Sequence, residues 1–325
     1  MKDVQGRRPS ARIVIVNWRQ SDLTIQAARS LQSQLSEGDR LVVVDNGSGD
    51  GSAPRIRKAG FEVVEAATNG GFAAGVNLGA QDLTEDALVL LNNDAVARPG
   101  FLSALLGGLG GSVGATTALL LLTGRWRLAL PGEEGERALD GRLWTRVDEG
   151  TRTTVGEQGE GVELVNSTGN VVDRHGNGYD RDWLTPVSQL DAPAEVFGIC
   201  GGACAIAAQP WKELGGLRED LFMYYEDSDF SYRLRQAGYE VRFVEEAVAQ
   251  HEHSASSGTN SEMFIRVNTR NRLLVAADHA SRVVFLDALV RTIVRALRTG
   301  LRGPVAQGLR EALRRLTDKS LKPPH

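Results

Sequence analysis

Four short strand-like runs dominate the first hundred residues and constrain the fold more than any other feature. The runs cover residues 12–16, 41–44, 61–66 and 88–91, and only Arg12, Glu62 and Glu65 interrupt their apolar residues. Stretches with helical character, at about 21–35 and 70–83, lie between them. Alternating strands and helices are typical of a parallel sheet that is covered by helices and connected by right-handed crossovers. We therefore predict an α/β fold for this part of the chain.

The fourth run ends in Asn92, Asn93 and Asp94. A buried parallel strand has such an apolar run, and open α/β sheets bind ligands at the carboxyl ends of their strands. An aspartate at this point could hold a divalent cation against a diphosphate, because hard cations take oxygen ligands. A turn with a helix N-cap uses the same residue types, so the stretch alone leaves both interpretations open.

Two glycine-containing stretches also follow strand ends. Asp45 could accept hydrogen bonds from a nucleoside, although a plain glycine-rich turn is the alternative. Gly70 and Gly71 open a helix, where a ligand can approach the backbone and a helix N-terminus favours phosphate. Close helix–sheet packing would explain the same glycines. Asn77 has poor propensity for the middle of a helix, which favours a ligand contact.

An acidic turn and a histidine pair complete the polar candidates. Glu226, Asp227 and Asp229 lie at a predicted helix start, where acids also suit the helix dipole. Glu226 and Asp229 share a helical face, and such carboxylates can supply a general base. His251 and His253 lie two residues apart on a predicted strand, but two histidines alone are a weak metal signal.

Composition narrows the class of protein. The chain has 325 residues, of which 42% are hydrophobic and 24% charged, as in ordinary globular proteins. Cys200 and Cys204 lie in an apolar run, which favours core thiols and a cytoplasmic protein. No run resembles a signal peptide or a membrane span.

Charge is distributed unevenly between the body and the tail. Residues 281–325 carry a positive surplus of seven, whereas the whole chain has a net charge of −4. The acidic body argues against nucleic acid as its partner. The tail predicts two basic amphipathic helices that pack on the domain, form an oligomer contact or bind a membrane surface peripherally.

Five ordered motifs resemble glycosyltransferase family 2, most closely its rhamnosyltransferase-like branch. They are Ile15–Trp18, Asp45–Ser52, Asn69–Gly79, Leu91–Asp94 and Gly215–Arg233, followed by His251 and Ser254. The resemblance covers about residues 11–275. It implies a GT-A fold, an α/β Rossmann-like mixed sheet with helices on both faces, plus a C-terminal helical extension. A catalytic domain would span 11–280, with a nucleotide-binding part to about 100, and the tail would span 281–325.

The resemblance also assigns roles to individual residues. Asp227 corresponds to the catalytic base, and Asp94 and His251 to ligands of Mg²⁺ or Mn²⁺, although Asn92 replaces the first acid of the metal motif. Segment 166–183 resembles a donor-sugar or acceptor region and makes Arg174 and Asp180 candidate substrate contacts. The nucleotide- or substrate-binding candidates are Asn17, Asp45, Asn69, Gly71, Phe72, Asn77, Asn93 and Glu226.

The implied activity is inverting transfer of a sugar from a nucleotide-diphospho sugar to a hydroxyl. On resemblance alone, dTDP-L-rhamnose is the first donor candidate, followed by UDP-galactofuranose or another UDP-hexose. The acceptor would be a glycan, a lipid-linked glycan or a small molecule. A sugar-phosphate nucleotidyltransferase is a weaker alternative, because no glycine-rich loop with Arg and Lys follows the first strand. A non-catalytic sugar-nucleotide-binding protein would carry the same motifs, and only turnover distinguishes it.

Overall fold

The computed structural model describes residues 8–147, 161–252 and 261–318. The first part of the chain alternates strands and helices, as predicted. Its elements are β1 (Ala11–Asn17), α1 (Ser21–Gln32), β2 (Arg40–Asp45), α2 (Ser52–Lys58), β3 (Glu62–Glu65), α3 (Gly71–Gly79), β4 (Ala87–Leu91), β5 (Ala95–Ala97) and α4 (Phe101–Gly107).

The remainder is richer in strands and ends in three helices. Its strands are β6 (Val113–Leu122), β7 (Arg125–Leu128), β8 (Glu136–Arg137), β9 (Leu143–Val147), β10 (Val165–Ser167), β11 (Asn170–Val172), β12 (Gly178–Asp180), β13 (Glu195–Val196), β14 (Ala203–Ala207) and β15 (Glu240–His251). Its helices are α5 (Ala208–Glu213), α6 (Glu226–Gln236), α7 (Glu262–His279), α8 (Arg282–Thr299) and α9 (Pro304–Thr317).

One large mixed sheet forms the centre of the molecule. Its main strand order is β13-β15-β6-β14-β4-β1-β2-β3. Strands β3, β2, β1 and β4 are parallel, whereas β14 runs antiparallel to both β4 and β6. The predicted α/β class with a mixed sheet and a C-terminal helical extension is confirmed.

Alternate residues of the central strands supply two cores, one on each face of the sheet. Ile13 and Val89 belong to one buried cluster, whereas Val14 and Leu88 belong to the other. Helices cover both faces, so neither set of side chains meets water. This two-sided burial explains why the strands have continuous apolar runs rather than alternating ones.

Three local features go beyond the sequence predictions. Helix α2 follows the glycine-rich turn, because Pro54 is tolerated in the first turn of a helix. Within the apolar run 197–208, β14 is the assigned strand. Strand β15 continues from Glu240 to His251 with an irregular register between Val244 and Val248.

The three C-terminal helices pack against one another and against the body. Ser261 caps α7 through a hydrogen bond from the N–H of Phe264, and Pro304 opens α9 in the position that proline favours. No helix in the described part of the chain is long and apolar enough to cross a membrane. His253, Ser254 and the tail beyond residue 318 lie outside the described residues.

Candidate active site

Parallel strand ends bring Asn17 and Asp45 side by side at one edge of the sheet. They are register partners, and the Nδ2 of Asn17 donates to Asp45 Oδ1 at 2.6 Å. The same carboxylate accepts hydrogen bonds from the Oγ of Ser48 at 2.6 Å and from its backbone N–H at 3.2 Å. Asp45 is buried, and its carboxylate stabilises the turn through these hydrogen bonds. Direct contact between Asp45 and a nucleoside stays a prediction.

The N-terminus of α3 is covered by the loop that contains Phe222. The backbone N–H of Phe72 donates to the carbonyl of Phe222 at 2.8 Å, and that of Gly71 donates to Asn69 Oδ1 at 2.9 Å. Gly71 has a φ of +88°, and a Cβ there would lie 2.0 Å from the carbonyl oxygen of Phe222. Glycine is needed here so that a carbonyl can approach, and phosphate binding at this helix start stays a prediction.

Asn77 connects α3 to the segment that precedes the acidic turn. Its Nδ2 donates to the carbonyl of Leu217 at 2.8 Å and to Glu219 Oε1 at 2.9 Å, and its Oδ1 accepts from the N–H of Leu217 at 2.9 Å. The amide is thus used on both sides by protein partners. These contacts explain a polar residue within the helix, and a ligand contact by Asn77 stays a prediction.

A cavity of about 540 Å³ lies beside α3. Its lining includes the carboxylates of Glu65 and Glu219 but no lysine or arginine. An acidic lining disfavours an anionic diphosphate. The cavity is therefore a poor candidate for the phosphate-binding part of the site.

Asp94 and His251 meet at the carboxyl edge of the sheet. Asp94 follows β4 and precedes β5, which pairs with the end of β15. Asp94 Oδ1 lies 2.9 Å from His251 Nε2, and both side chains are largely buried. The other ring nitrogen, Nδ1, lies 2.6 Å from Asn166 Oδ1. Because an amide oxygen only accepts, Nδ1 carries the proton of this hydrogen bond.

This arrangement fits a divalent cation. With a proton on Nδ1, the neutral imidazole directs the Nε2 lone pair at a carboxylate oxygen, which is unfavourable unless a cation or a second proton lies between them. Asn166 would then orient the metal-binding ring, as second-shell partners of ligating histidines do. Among the described residues, no group of three or more acidic, histidine or cysteine side chains surrounds a common point. Further ligands would have to come from a bound substrate.

Asn93 lies against the first turn of α1. Its Nδ2 is 3.3 Å from Gln20 Oε1 and 3.4 Å from Thr24 Oγ1, and Thr24 in turn donates to Asn17 Oδ1 at 2.7 Å. Asn93 and Asn17 are therefore linked in one polar network. The structure brings them together, as the alignment of strand ends predicts.

Asp227 lies at the start of α6, half-buried beside Gly201 and the ring of Phe72. Its Oδ1 accepts from the N–H of Ser228 at 2.6 Å, and its Oδ2 lies 3.4 Å from the N–H of Gly201. Burial raises the pKa of Asp227 above its ordinary value, although these hydrogen bonds oppose the rise. A carboxylate with a raised pKa is a stronger proton acceptor, which suits a general base.

Asp180 lies within electrostatic reach of both centres. Burial raises its pKa to about 6, the charge of Asp227 adds to the rise, and a hydrogen bond with Ser167 and the interaction with His251 oppose it. The half-buried Cys200 also contacts this carboxyl group, so of the two cysteines only Cys204 is a fully buried core thiol. Contact between Asp180 and the donor sugar or acceptor stays a prediction.

Arg174 is separated from Asp180 by the length of the β11–β12 hairpin. It is exposed at the tip, where the neighbouring His175 places Nδ1 at 2.7 Å from Asp287 Oδ2 on α8. Arg174 and Asp180 therefore lie at different ends of the hairpin, and substrate contact by Arg174 stays a prediction.

Asp229 is held by three cationic or titratable partners. Arg233 Nε lies at 2.8 Å, His279 Nε2 at 2.9 Å and Arg218 at 3.3 Å. Burial opposes ionisation, but the hydrogen bond from His279 and the charges of Arg233 and Arg218 lower the pKa of Asp229 overall. Its carboxylate links α6 to α7. Glu226 and Asp227 are therefore the remaining catalytic candidates of the acidic turn.

The loop before α6 has an unusual backbone that sequence reasoning missed. Phe222, Tyr224 and Tyr225 all have positive φ values, between 67° and 72°. The side chain of Asn271 on α7 donates to the carbonyls of Leu221, Met223 and Tyr224 at 2.7–2.9 Å. Asn271 is completely buried, so α7 fixes the loop that delivers Glu226 and Asp227.

Comparison with known proteins supports the arrangement of motifs. Residues 12–112 match the sequence model of Glycosyl transferase family 2. The N-acetylglucosaminyl-diphospho-decaprenol L-rhamnosyltransferase of Mycobacterium tuberculosis, recorded for strains CDC 1551 and H37Rv, is 30% identical over 148 residues. The resemblance to glycosyltransferase family 2 is confirmed. The match covers 43% of this chain and 45% of that protein, so the chain spans about half the length of these curated relatives.

Solved structures share the GT-A glycosyltransferase fold. The mannosyltransferase PcManGT of Pyrobaculum calidifontis, in complex with GDP-Man and Mn²⁺, has a TM-score of 0.53 and 14% identity, over 97% of this chain and 82% of that one. GalNAc-T7 with UDP, GalNAc and Mn²⁺ has a TM-score of 0.54 and 14% identity, over 89% of this chain and 58% of that one. At these identities the likeness establishes the fold alone.

Glu226 is the most perturbed carboxyl group of the acidic turn. It is buried, and its Oε2 has no hydrogen-bond partner among the described residues. Burial, followed by repulsion from Asp227, raises its pKa to about 8. Since the folded pKa exceeds the ordinary value of 4.5, its contribution to stability is present at low pH and is lost as pH rises towards 8.

We expect Glu226→Gln to remove this pH dependence. The variant should match the native protein near pH 5 and unfold at a higher temperature than the native protein at pH 8.5. The difference in unfolding free energy should grow by up to about 1.4 kcal/mol per pH unit between the two limits. Thermal unfolding of both proteins across pH measures it. Equal unfolding temperatures at all pH values would show that Glu226 ionises normally.

Proposed function

We propose that the protein is an inverting glycosyltransferase that moves a sugar from a nucleotide-diphospho sugar to an acceptor hydroxyl. The observation that carries this proposal is the grouping at one sheet edge of the Asp94–His251 pair, Asp180 and Asp227. The pair would face the leaving diphosphate, and Asp227 would face the acceptor. Nucleotide contacts would come from the edge that carries Asn17, Asp45, Asn69 and Asn93, and from the ring of Phe72.

Asp94 and His251 would hold a divalent cation, for which Mn²⁺ is the first candidate. The paired carboxylate and imidazole support it, and so do the printed descriptions of the two structural neighbours, which include Mn²⁺. Such a cation, when bound, would supply positive charge to the departing diphosphate. The neutral Asn92 lies 3.4 Å from His251 Nε2 through its Nδ2, so it would position the imidazole rather than add charge.

Asp227 would act as the general base. The acceptor hydroxyl would lose its proton to the carboxylate while its oxygen forms a bond to the anomeric carbon. The bond from that carbon to the diphosphate oxygen would break on the opposite face, and its electron pair would leave with the diphosphate. Gly201 and Ser228 hold the Asp227 carboxylate by N–H donors, which fixes its direction without occupying both oxygens fully.

We propose dTDP-L-rhamnose as the donor, because the curated relative is an L-rhamnosyltransferase. UDP-galactofuranose and other UDP-hexoses are the next candidates. A lipid-linked glycan is the proposed acceptor class, because the name of the same relative includes N-acetylglucosaminyl-diphospho-decaprenol. The proposed catalytic domain spans residues 11–280, and residues 281–325 form the tail.

Nucleotide binding tests the donor half of this proposal. With Mn²⁺, one nucleotide diphosphate among dTDP, UDP and GDP should raise the unfolding temperature by about 5 °C at a hundredfold excess over its Kd. The shift should vanish with chelator and in Asp94→Asn. Thermal unfolding with each nucleotide, with Mn²⁺, Mg²⁺ or chelator, measures it.

Asp140→Asn is the matched control, because Asp140 is an exposed carboxylate on the turn before β9 and makes a local pair with Arg142. Its nucleotide response should equal that of the native protein. Absence of stabilisation by every nucleotide diphosphate with either metal would contradict the proposed function. A preference for UDP over dTDP would keep the activity and replace the donor.

A further inference from the structure

The outward face of α8 carries a continuous apolar stripe. Six exposed side chains form it, with 39–76% of their surface accessible: Val283, Leu286, Val290, Ile293, Val294 and Leu297. Their spacing of three and four residues places them on one side of the helix. The opposite side, with Ala288, Thr292 and Ala296, is buried. Because the helix is roughly 27 Å long, the stripe forms an extended apolar surface rather than isolated exposed residues.

Arginines border this stripe. Arg291, Arg295 and Arg298 follow one another at intervals of three or four residues along one side of it, and Arg302 follows just beyond the end of the helix. Asp287, the sole acid of the α8 sequence, is already paired with Arg291 and His175. Within the described residues, Arg295, Arg298 and Arg302 take part in no ion pair. The surface is therefore apolar in the middle and positively charged along its border.

We propose that this face of α8 binds the surface of an anionic lipid bilayer. The apolar stripe would enter the boundary between headgroups and acyl chains, while the arginines reach the phosphates, as in interfacial amphipathic helices. Charge distinguishes this occupant from a second copy of the chain. Symmetric pairing of two α8 faces would bring arginine rows together without carboxylates to match them, whereas an anionic membrane satisfies both features.

The fold also connects this face to the candidate active site. The tip of the β11–β12 hairpin rests on α8, where Gly176 lies close to Val284 and Ala288. Further along, the N–H of Gly178 donates to the Tyr225 hydroxyl at 3.0 Å, and Asp180 lies beside Asp227. Asp180 lies four positions after Gly176, which corresponds to roughly 14 Å of extended chain. If the proposed function holds, docking through α8 would keep the acceptor side of the site near a lipid-linked substrate.

Vesicle binding by the full chain tests the proposal. The protein should co-sediment with vesicles of phosphatidylcholine and phosphatidylglycerol, and much less with phosphatidylcholine alone. Leu297→Glu should weaken binding at least about tenfold, since it places a charge in the stripe. Arg295→Gln and Arg298→Gln should each weaken it about fivefold. Leu139→Glu is the matched control, because Leu139 is equally exposed but lies on the turn between β8 and β9.

Three outcomes would overturn the proposal. They are no binding to the anionic vesicles, equal binding by Leu297→Glu and the native protein, and a concentration-dependent dimer in sedimentation that Leu297→Glu dissociates. Sugar transfer to a water-soluble acceptor should be the same for Leu297→Glu and the native chain. Loss of nucleotide binding with vesicle binding retained would count against the proposed function and leave this surface proposal standing.

Discussion

Replacing Asp227 by asparagine should lower the rate constant of sugar transfer by about a thousandfold, the scale of a lost general base. The substitution keeps the shape and the hydrogen bond from the Ser228 N–H to Oδ1, but the new Nδ2 cannot accept from the Gly201 N–H and the proton acceptor is lost. Because burial raises the pKa of Asp227, the neutral variant should unfold at the same temperature as the native protein or a higher one. Steady-state kinetics with donor and acceptor, together with thermal unfolding, measure both effects.

The rate constant and the dissociation constant for the nucleotide diphosphate together separate chemistry from binding. The dissociation constant should stay unchanged in Asp227→Asn, since Asp227 would act on the acceptor. The native rate should rise with pH as the Asp227 carboxyl group loses its proton, and the variant should lack that rise. Full activity in Asp227→Asn would assign the base to a different group, with Asp180 as the first to examine.

Asn271→Asp should reduce transfer about a hundredfold and destabilise the protein, although Asn271 lies on α7 and is outside all five motifs. The native amide donates to the carbonyls of Leu221, Met223 and Tyr224. A carboxylate at the same position would repel these oxygens and bury an unpaired charge. The loop would lose its positive-φ conformation, and a displacement near 1 Å at a catalytic group is enough for this loss of rate. Steady-state kinetics and thermal unfolding measure the two effects.

Asn268→Asp supplies the matched control on the same helix. In the described structure the Asn268 side chain makes no hydrogen bond, so this substitution should leave rate and stability nearly unchanged. A lower rate constant with an unchanged nucleotide dissociation constant would mark Asn271 as a positioning residue. Native activity in Asn271→Asp would show that α7 does not fix the acidic turn.

Much of the nucleotide-side architecture follows from local sequence. Runs such as 13–16 and 88–91 are apolar at every position because both faces of their strands are buried, and this pattern identifies parallel strands without knowledge of their partners. Strand direction then places Asn17, Asp45 and Asp94 at one edge. The resemblance of ordered motifs extended this to Asp227 and His251, which the structure brings near Asp180.

Other roles depended on contacts between residues far apart in sequence. Asn77 and Gly71 are residue types that suit a ligand site. In the folded protein, however, Asn77 forms a hydrogen bond with Leu217, and Gly71 makes room for the carbonyl of Phe222. Asp229 belongs to the same acidic turn as Asp227, but His279 and two arginines hold it in an ionic network. No local pattern reveals which acidic residue is paired and which is available.

The sequence by itself therefore determined the strand and helix order of the nucleotide-side half, and its motifs predicted the edge of the sheet that would carry the chemistry. Only the tertiary structure decided which polar groups face the site and which hold the protein together. The physical reason is that an apolar pattern reflects burial, which is read along the chain, whereas a buried polar group needs a specific partner. For Asn77, Asp229 and Asn271 that partner is supplied by a distant segment, so its identity exists only once the chain has folded.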